Sequence, residues 1–426
     1  MTKNKKEPAI VFVGFKHKSD SPKAARDLGF KAVLIALDPS EKSMELFDDV
    51  YVTNVKDSAE VLKVIEDIKS KYRTKGVLTN YEQYVVLRSY IAEHLGVPSA
   101  SVYASSCTRN KALQRHALGF LPENIPSKMV DNLAEAKEAW KQLGKDVFVK
   151  NISGIKSKLI FHCKSEEDIE EAVDAILKEN KIPDKDLYDA YEYMKFHFKY
   201  PNPNNTFLVE KTAKGMLVSI DSIVGSRKIW HTPSLVDNYR AKEFGINDSY
   251  LPFRILPSKL DPEIISKAKE VVTGSIRILG LRNCSVHTEL MIDGDDIYFI
   301  EIASRMGGYR QQMYEFAYGL NLSEFLIKAV VGKEKSSRKS KAKIISYIEI
   351  FPVKEGEFVG FTGLDEFKET YKDNIVKPNV NPKLNICGPA KLGYGPVAVI
   401  SLTGKNYKEV YQASEAAVKG IKVIVK

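Results

Sequence analysis

The amino-acid sequence predicts an α/β protein of about three structural units, with a doubly wound domain first and α+β units after it. Two observations lead to this prediction. Short apolar runs alternate with helical patterns over the first hundred or so residues, and mixed strands and helices with a carboxylate-bearing hairpin follow. At 426 residues the chain exceeds one compact core, and its 44% hydrophobic and 28% charged residues are typical of an ordered globular enzyme.

The N-terminal unit is predicted from four strand-like runs with helical segments between them. Strands that alternate with helices favour a parallel sheet covered by helices. The strand-like runs are 9–14, 32–37, 51–53 and 76–79, and the helices include 59–72 and 84–95. We place the end of this unit near residue 105.

The first strand ends at a single glycine, Gly14, and not at the three-glycine fingerprint of a dinucleotide site. No G-x-x-x-x-G-K-[ST] motif occurs in the sequence. Hydride-transfer enzymes and P-loop NTPases are therefore disfavoured.

The middle of the sequence has the pattern of α+β units. Helices are predicted at 108–118, 134–143, 166–177 and 261–279, and strands at 147–150, 158–162, 206–210 and 217–224. Residues 184–205 are predicted to form a loop or irregular helix. The strands and final helix beyond residue 332 make an end-piece of about ninety residues.

Charge, cysteine usage and hydropathy exclude several classes of protein. The net charge is +9, but basic and acidic residues are interspersed, so nucleic-acid binding is not expected, and the basic segment 333–343 is interpreted as a solvated loop. The apolar runs are far shorter than the roughly 20 residues of a membrane span, and no secretory signal is recognisable. We expect a cytosolic protein whose four scattered cysteines are reduced core thiols.

The most informative stretch is CSVHTELMIDGDDIYFIEIASRMGG, residues 284–308. Two β-rich runs flank Asp-Gly-Asp-Asp, which predicts a hairpin. With a three-residue loop at 294–296, Asp293 pairs with Ile297, and Glu289 lies opposite Glu301 on the face that carries His287. Like charges opposite each other on a sheet are destabilising, so the pair calls for a cation. Mg²⁺ takes one or two carboxylates plus substrate phosphates, whereas the alternative is an exposed acidic face.

The residues after Glu301 predict a binding site for an anion next to the expected metal. Arg305 lies four residues beyond Glu301, and Gly307-Gly308 open a helical segment. A guanidinium and free backbone N–H groups at a helix start bind phosphate or carboxylate. The alternative is an arginine paired with Glu301 and glycines in a turn.

Together these motifs resemble the ATP-grasp superfamily, in the right order over nearly the whole chain, and in particular its L-amino-acid ligase and carboxylate–amine ligase group. The resemblance implies a Rossmann-like N-terminal domain (1–105), an ATP-grasp domain (106–330) with a lid at about 128–213, and a C-terminal α+β portion (331–426). It also implies that the lid closes over ATP and excludes water.

The resemblance implies a set of nucleotide contacts. Lys111, in the Arg-Asn-Lys run of 109–111, matches a phosphate-contacting lysine, and Lys150 matches the strand-ending lysine of the lid. In the loop after Lys150, Gly154 and Ser157 are kept without the usual run of glycines, so Lys156 and Lys158 are candidates to supply charge. The segment 207–213 resembles the adenine hinge, and its candidate contacts are Glu210, Lys211 and Ala213.

The resemblance also assigns the metal and the catalytic residues. Glu289 and Glu301 match the two Mg²⁺ carboxylates, Arg305 matches a substrate- or phosphoryl-stabilising arginine, and His287 matches a substrate-side histidine. Two positions depart from the family, because Ala303 stands where a third ligand, asparagine, is common, and Leu217 stands where an acidic residue often contacts ribose.

The implied function is an ATP-dependent carboxylate–amine ligase that works through an acyl phosphate, with ATP and Mg²⁺ (or Mn²⁺) as cofactors and a small acid and amine as substrates. Two alternatives stay open, namely an enzyme that forms carboxyphosphate from bicarbonate and a nucleotide-binding protein with weakened catalysis. Oligomeric state is also open, with a homodimer suggested by the family. Candidate residues lining the substrate pocket are Trp230, His231, Tyr309 and Arg310.

Overall fold

The computed structural model describes residues 6–15, 20–154, 159–180, 205–248, 250–333, 342–380 and 385–426. In these ranges the strands form four sheets, of four, nine, three and four strands. Residues 155–158, 181–204 and most of the basic segment 333–343 lie outside the described residues, as do the predictions made for them.

The first sheet is parallel, and its strand order is β3-β2-β1-β4. Its strands are β1 (Glu7–Val13), β2 (Lys31–Ala36), β3 (Asp49–Val52) and β4 (Tyr72–Leu78). The helices of this part are α1 (Ser21–Asp27), α2 (Glu41–Met44), α3 (Ser58–Lys71) and α4 (Val85–His94). Alternate residues of β1 enter two hydrophobic cores, with Val11 in one and Phe12 in the other. A sheet buried on both faces confirms the predicted doubly wound arrangement.

Two short helices, α5 (Val102–Cys107) and α6 (Lys111–Ala117), connect this sheet to the next. The sequence predicted one helix from residue 108. The helix begins later because the side chain of Asn110 accepts a hydrogen bond from the backbone N–H of Leu113 and caps α6.

The second sheet is small and antiparallel, in the order β5-β8-β6-β7. Its strands are β5 (Ser127–Val130), β6 (Val147–Asn151), β7 (Ile160–Cys163) and β8 (Phe207–Lys211), and its helices are α7 (Leu133–Gln142) and α8 (Glu166–Asn180). The apolar sides of both helices pack on one face of the sheet around Trp140, Val149 and Ile176. The opposite face carries Lys150 and Glu210 together with Phe148 and Leu208.

The third and largest sheet is antiparallel and follows the order β14-β13-β9-β11-β12-β15-β19-β17, with β10 paired to β9. Its strands are β9 (Met216–Val224), β10 (Ile229–His231), β11 (Val236–Tyr239), β12 (Phe253–Leu256), β13 (Cys284–Asp293), β14 (Asp296–Ala303), β15 (Ile344–Ile350), β17 (Ile375–Val380) and β19 (Ala398–Gly404). Four helices accompany these strands in the sequence: α9 (Pro262–Leu279), α10 (Arg310–Tyr318), α11 (Leu322–Val330) and α13 (Tyr407–Gly420).

The C-terminal portion shares this large sheet, because β15 pairs with β12 on one side and β19 on the other. It also forms the fourth sheet, from β16 (Gly356–Thr362), β18 (Ile386–Cys387) and β20 (Lys422–Val425), with α12 (Leu364–Thr370) between its strands in the sequence. All four cysteines are buried and unbridged. Within the described ranges, none of the helices has the length and apolarity to traverse a bilayer.

Candidate active site

The hairpin of β13 and β14 brings Glu289 directly opposite Glu301. Residues opposite each other in an antiparallel pair point to the same face of the sheet. The predicted pairing of the two carboxylates is therefore confirmed, and His287 shares their face, because its Nε2 lies 3.7 Å from Oε1 of Glu289.

The predicted turn of this hairpin is wrong. Asp293 pairs with Asp296 around a two-residue turn, not with Ile297, and Gly294 has the positive φ of +61° that such tight turns require. A bulge then shifts the register, since Leu290 pairs with Phe299 and Glu289 with Glu301. The extra residue, Ile300, compensates for the shorter turn, and this is why the two glutamates still meet.

Arg115 of α6 stabilises the bulge. Its guanidinium donates hydrogen bonds to the backbone oxygens of Phe299 (2.8 Å) and Ile300 (2.7 Å), and to a carboxylate oxygen of Glu210 (2.6 Å). Arg115 lies one turn beyond Lys111 on α6. It connects the hairpin of the large sheet to the face of the small sheet that carries Glu210.

Glu289 is the half-buried end of a row of alternating charges on β9 and β13, whose other members, His287 and Asp221, are buried. The imidazole of His287 lies between Glu289 and Asp221, with its Nδ1 at 3.1 Å from Oδ2 of Asp221. Burial opposes ionisation of Glu289, but the hydrogen bond and charge of His287, with the charges of Arg305 and Arg310, outweigh it and lower the pKa of the carboxyl. The carboxylate is thus ionised and ready to accept a cation.

Asp221 holds several parts of this site together, although the sequence analysis did not single it out. Its carboxylate accepts a hydrogen bond from the backbone N–H of Gly307 (2.8 Å) and lies 3.4 Å from Nε of Arg310. Despite complete burial, the charge of His287 and its hydrogen bond, with the charge of Arg310, lower the pKa of Asp221. A carboxylate inside the predicted strand 217–224 is the sequence signal that could have pointed to it.

Glu301, the second carboxylate, is paired with Lys111. The Lys111 Nζ lies 3.2 Å from a carboxylate oxygen of Glu301 and donates to the backbone oxygen of Gly154 at 2.9 Å. Lys111 thereby joins the hairpin to the loop that follows β6, where the sequence predicted phosphate contacts. Ser157 and Lys158, two candidates in that loop, lie outside the described residues.

Lys150 and Glu210 form a buried ion pair on facing strands β6 and β8, and Arg115 is the second cation on Glu210. Burial raises the pKa of Glu210, but the charges and hydrogen bonds of Arg115 and Lys150 reverse the effect and hold it at about 2. The Glu210 carboxylate therefore has internal partners, and its contact with adenine stays a prediction.

The two other hinge candidates differ in exposure. Lys211 is exposed and its backbone N–H donates to the oxygen of Pro126 at 2.9 Å, whereas Ala213 is half-buried. Their role in nucleotide binding also stays a prediction.

Arg305 lies just beyond β14 and is held by Glu82, a residue of the N-terminal part that the sequence analysis missed. Its Nε and one terminal nitrogen donate to the same oxygen of Glu82 at 3.2 and 2.5 Å. Burial works against the charge of Arg305, but the charges of Glu82 and Glu301 and the hydrogen bond to Glu82 raise its pKa. Arg305 is thus a fixed cation beside the two glutamates.

The four residues proposed to line the pocket separate into two groups. Arg310 is buried among Asp221, Ser219 and Asn238, and Tyr309 stacks on Tyr347 with ring centroids 5.3 Å apart. Both follow Arg305 closely. Trp230 instead packs on Phe325, with 5.5 Å between ring centroids, and His231 is bonded between Ser222 and Thr273. These contacts give Trp230 and His231 a packing role.

Among the described residues, no group of three or more His, Cys, Asp or Glu side chains is arranged to hold a metal. Ala303, the register partner of His287, contributes no oxygen at the position where a third ligand was considered. Metal binding by Glu289 and Glu301 stays a prediction.

Comparison with known proteins finds a domain match in the middle of the chain and a shared fold. Residues 143–312 match the family model of the ATP-grasp domain. The alanine–anticapsin ligase of Bacillus subtilis strain 168 is 24% identical over 278 residues, which are 64% of this chain and 57% of that protein. The chain thus spans less than two thirds of the length of this relative.

Two solved structures have the same fold. The L-amino acid ligase from Bacillus licheniformis superposes with a TM-score of 0.80 at 18% identity, covering 100% of both chains. The N5-carboxyaminoimidazole ribonucleotide synthetase from Thermotoga maritima gives a TM-score of 0.70 at 15% identity, covering 99% of this chain and 100% of the other. Residues 143–312 thus match an ATP-grasp domain, and the chain has the fold of these two solved structures.

Proposed function

We propose that this chain is an ATP-dependent ligase that joins a small carboxylic acid to an amine through an acyl phosphate and releases ADP and phosphate. The observation that carries the proposal is the pairing of Glu289 with Glu301 across the hairpin, beside the fixed cation Arg305. The domain match and the names of the similar proteins support the same reaction class.

The carboxylate pair has the chemistry that Mg²⁺ requires. Mg²⁺ accepts one or two carboxylates and takes its other oxygens from phosphates and water, so two glutamates without a third protein ligand suffice. Like charges opposite each other repel, and a divalent ion between them removes that repulsion. Glu289 and Glu301 would hold the ion, or Mn²⁺ in its place. Once bound, the ion would neutralise charge on the phosphates of ATP.

The reaction consists of two displacements. In the first, an oxygen of the acid attacks the γ-phosphorus, the bond from that phosphorus to the β–γ bridging oxygen breaks, and ADP leaves. In the second, the amine nitrogen attacks the acyl carbon, the carbon–oxygen bond to phosphate breaks, and a proton passes from nitrogen to solvent. Neither displacement needs a nucleophilic serine or cysteine.

The residues of this chain position the reactants and stabilise charge, which is most of what phosphoryl transfer asks of a protein. Lys150 and Lys111 neutralise the phosphates, and Arg305 stabilises the oxygens of the group in transfer. His287 lies on the same face as the metal pair and contacts the substrate side. Glu210, Lys211 and Ala213 bind the adenine end, with Ser157 and Lys158 on the phosphates.

The names of the similar proteins indicate a class of substrate. The names of the similar ligases contain amino acids, so free amino acids are the first acids and amines to test. A phosphate-release screen with ATP and Mg²⁺ over pairs of amino acids and other small carboxylates tests the proposal. We expect phosphate release that depends on both the acid and the amine, with an amide product detected by mass spectrometry.

A matched pair of variants in the same hairpin tests the metal pair. Glu301→Gln removes a carboxylate of the pair and should abolish turnover with the fold intact. Asp295→Asn removes a carboxylate from the turn, where the Asp295 side chain is 87% exposed, and should leave turnover unchanged. A fully active Glu301→Gln enzyme would refute the metal role.

The two rival functions give different results in the same screen. Phosphate release that requires bicarbonate and no amine would identify a carboxyphosphate-forming enzyme. ATP binding without phosphate release for any pair of substrates would identify a nucleotide-binding protein that does not catalyse.

A further inference from the structure

Glu82 lies at the point where the N-terminal part of the chain meets the candidate active site. It is the first residue of a single 3₁₀ turn, Glu82–Tyr84, that follows β4 at the carboxyl end of the parallel sheet. Its carboxylate contacts two arginines that come from different parts of the sequence. One oxygen accepts both hydrogen bonds from Arg305, and the other lies 3.5 Å from a terminal nitrogen of Arg109.

We propose that Glu82 is a positioning residue, which orients the guanidinium of Arg305 toward the oxygens of an anionic ligand. This inference rests on the proposed function for the identity of that ligand, the transferred phosphoryl group. Two hydrogen bonds to one carboxylate oxygen and a third to the backbone oxygen of Met306 fix the plane of the guanidinium. Among the described residues, the second N–H of each terminal nitrogen remains available to a ligand.

Ser304, which precedes Arg305, is held by Arg88 at its backbone and by Thr108 at its side chain. Arg88 of α4 donates to the backbone oxygen of Ser304 at 3.0 Å, and the hydroxyl of Thr108 is 2.9 Å from that of Ser304. Ser304 and Arg88 are both almost completely buried. Arg305 is thus constrained at its main chain and at its guanidinium, and Glu82 supplies the second constraint.

A role as general base does not suit Glu82. Burial favours its neutral form, but the charges of Arg305 and Arg109 outweigh burial and lower its pKa to about 2. A carboxylate of such low pKa is too weak a base to take a proton from an amine near neutral pH. The geometry and the charge of Glu82 both suit a residue that orients Arg305.

The second arginine extends the network toward the nucleotide loop. Arg109 also donates to the backbone oxygen of Ser153 at 3.3 Å, next to Gly154, whose oxygen accepts from Lys111. A change in the Glu82 carboxylate therefore affects Arg305 on one side of the predicted phosphate site and Arg109 on the other. If Glu82 served only to hold the N-terminal part in place, an ion pair with one of the two arginines, Arg305 or Arg109, would be enough.

Glu82→Gln tests the inference, since it keeps the shape of the side chain and removes its charge. We expect kcat to fall about 10- to 100-fold, the range seen when a group that orients a ligating residue is removed, while KM for ATP changes by less than about threefold. Glu82→Asp keeps the charge and should restore part of kcat. Asp67→Asn removes a carboxylate that is paired at the surface with Lys71 at 2.7 Å, and should leave kcat unchanged.

A second measurement does not depend on activity. The Nε–H signal of Arg305 in a proton–nitrogen NMR spectrum, assigned by its loss in Arg305→Lys, should be protected from exchange with water in the wild type and lose this protection in Glu82→Gln. Unchanged kcat together with an unchanged Arg305 signal overturns the inference.

The two readouts separate this inference from the proposed function. A wild type with no phosphate release but with an Arg305 signal that responds to Glu82→Gln supports the orientation of Arg305 and contradicts the ligase activity. A wild type that is active while Glu82→Gln retains full kcat contradicts the role of Glu82 alone.

Discussion

Arg115 donates a hydrogen bond of 2.7 Å to the backbone oxygen of Ile300, the residue that the hairpin bulge leaves without a cross-strand partner. Without the bulge, the register set by the two-residue turn would place Glu289 opposite Ile300 and not opposite Glu301. The geometry of the candidate metal pair therefore depends on a buried arginine from another element.

Arg115→Lys should weaken metal binding and lower the stability of the fold. Lysine keeps the charge, but it lacks the planar group that reaches Phe299, Ile300 and Glu210 together. We expect the free energy of unfolding to fall by about 2–4 kcal/mol and the Kd for Mn²⁺ in the presence of ADP to rise about 10- to 100-fold. Urea unfolding and electron paramagnetic resonance of Mn²⁺ measure the two effects.

The control is Arg26→Lys, which alters an exposed arginine bonded to the backbone oxygen of Leu46. It should leave both quantities unchanged. Wild-type affinity for Mn²⁺ in Arg115→Lys would show that the bulge keeps its register without Arg115.

Gly307→Ala should impair turnover, whereas Gly308→Ala should not. A Cβ atom at position 307 would lie 2.5 Å from Nδ1 of His287 and 2.8 Å from Cγ of Arg310, so the row of charges behind Glu289 must shift. At position 308 a Cβ atom would meet nothing within 4 Å. We expect kcat to fall at least about tenfold for Gly307→Ala alone.

Steady-state kinetics of the two alanine variants, together with their circular dichroism spectra, make this comparison. Equal activity in both variants would contradict the need for close packing at position 307.

Glu210 should contribute to stability at neutral pH and lose that contribution in acid. Its pKa of about 2 in the folded protein is below the usual glutamate value, so the unfolded chain binds the proton first as the pH falls. The contribution is complete above about pH 4.5 and disappears as the pH approaches 2. We expect it to amount to about 3 kcal/mol.

Urea unfolding of the wild type and of Glu210→Gln between pH 2.5 and 7 measures this contribution. The difference in unfolding free energy between the two proteins should shrink as the pH falls from the usual glutamate pKa toward the lowered one. A constant difference over the whole range would mean that Glu210 has an ordinary pKa in the folded protein.

His231 should lower the stability of the fold at mildly acidic pH. Burial, helped by the charge of Lys269, lowers its pKa to about 4 from a usual value of 6.5. Between these pH values the unfolded chain is protonated and the folded protein is not, so stability decreases as the pH falls from 6.5 toward 4. The expected loss is about 3 kcal/mol.

His231→Gln retains groups that can bond to Ser222 and Thr273 but does not titrate in this range. Its unfolding free energy should therefore depend less on pH between 4 and 6.5 than that of the wild type. Identical pH dependence in both proteins would contradict a buried neutral His231.

The sequence predicts local features of this protein well because they depend on periodicity. Alternation along 284–303 predicted the hairpin, and the runs in the first hundred residues predicted the parallel sheet. Glu289 was paired with Glu301 correctly because the predicted longer turn and the observed bulge each shift the register by one residue. The turn at Gly294 was predicted with the wrong length, and the Ile300 bulge that corrects the register is stabilised by Arg115, which is distant in sequence.

The partners of the predicted site residues could not be read from the sequence for the same reason. Glu82 precedes Arg305 by 223 residues, and Asp221 precedes His287 by 66 residues. Neither acid belongs to a motif, and only the fold brings it to its cation. Lys150 was predicted as a phosphate ligand, whereas its pairing with Glu210 depends on the register of β6 and β8.

The position of β15 between β12 and β19 has a consequence for biosynthesis. While the chain is being translated, the edge of β12 has no partner until the ribosome has released Ile344–Ile350. An open strand edge of this kind readily pairs with other chains. Nascent chains that stall before this point should consequently depend most on chaperones.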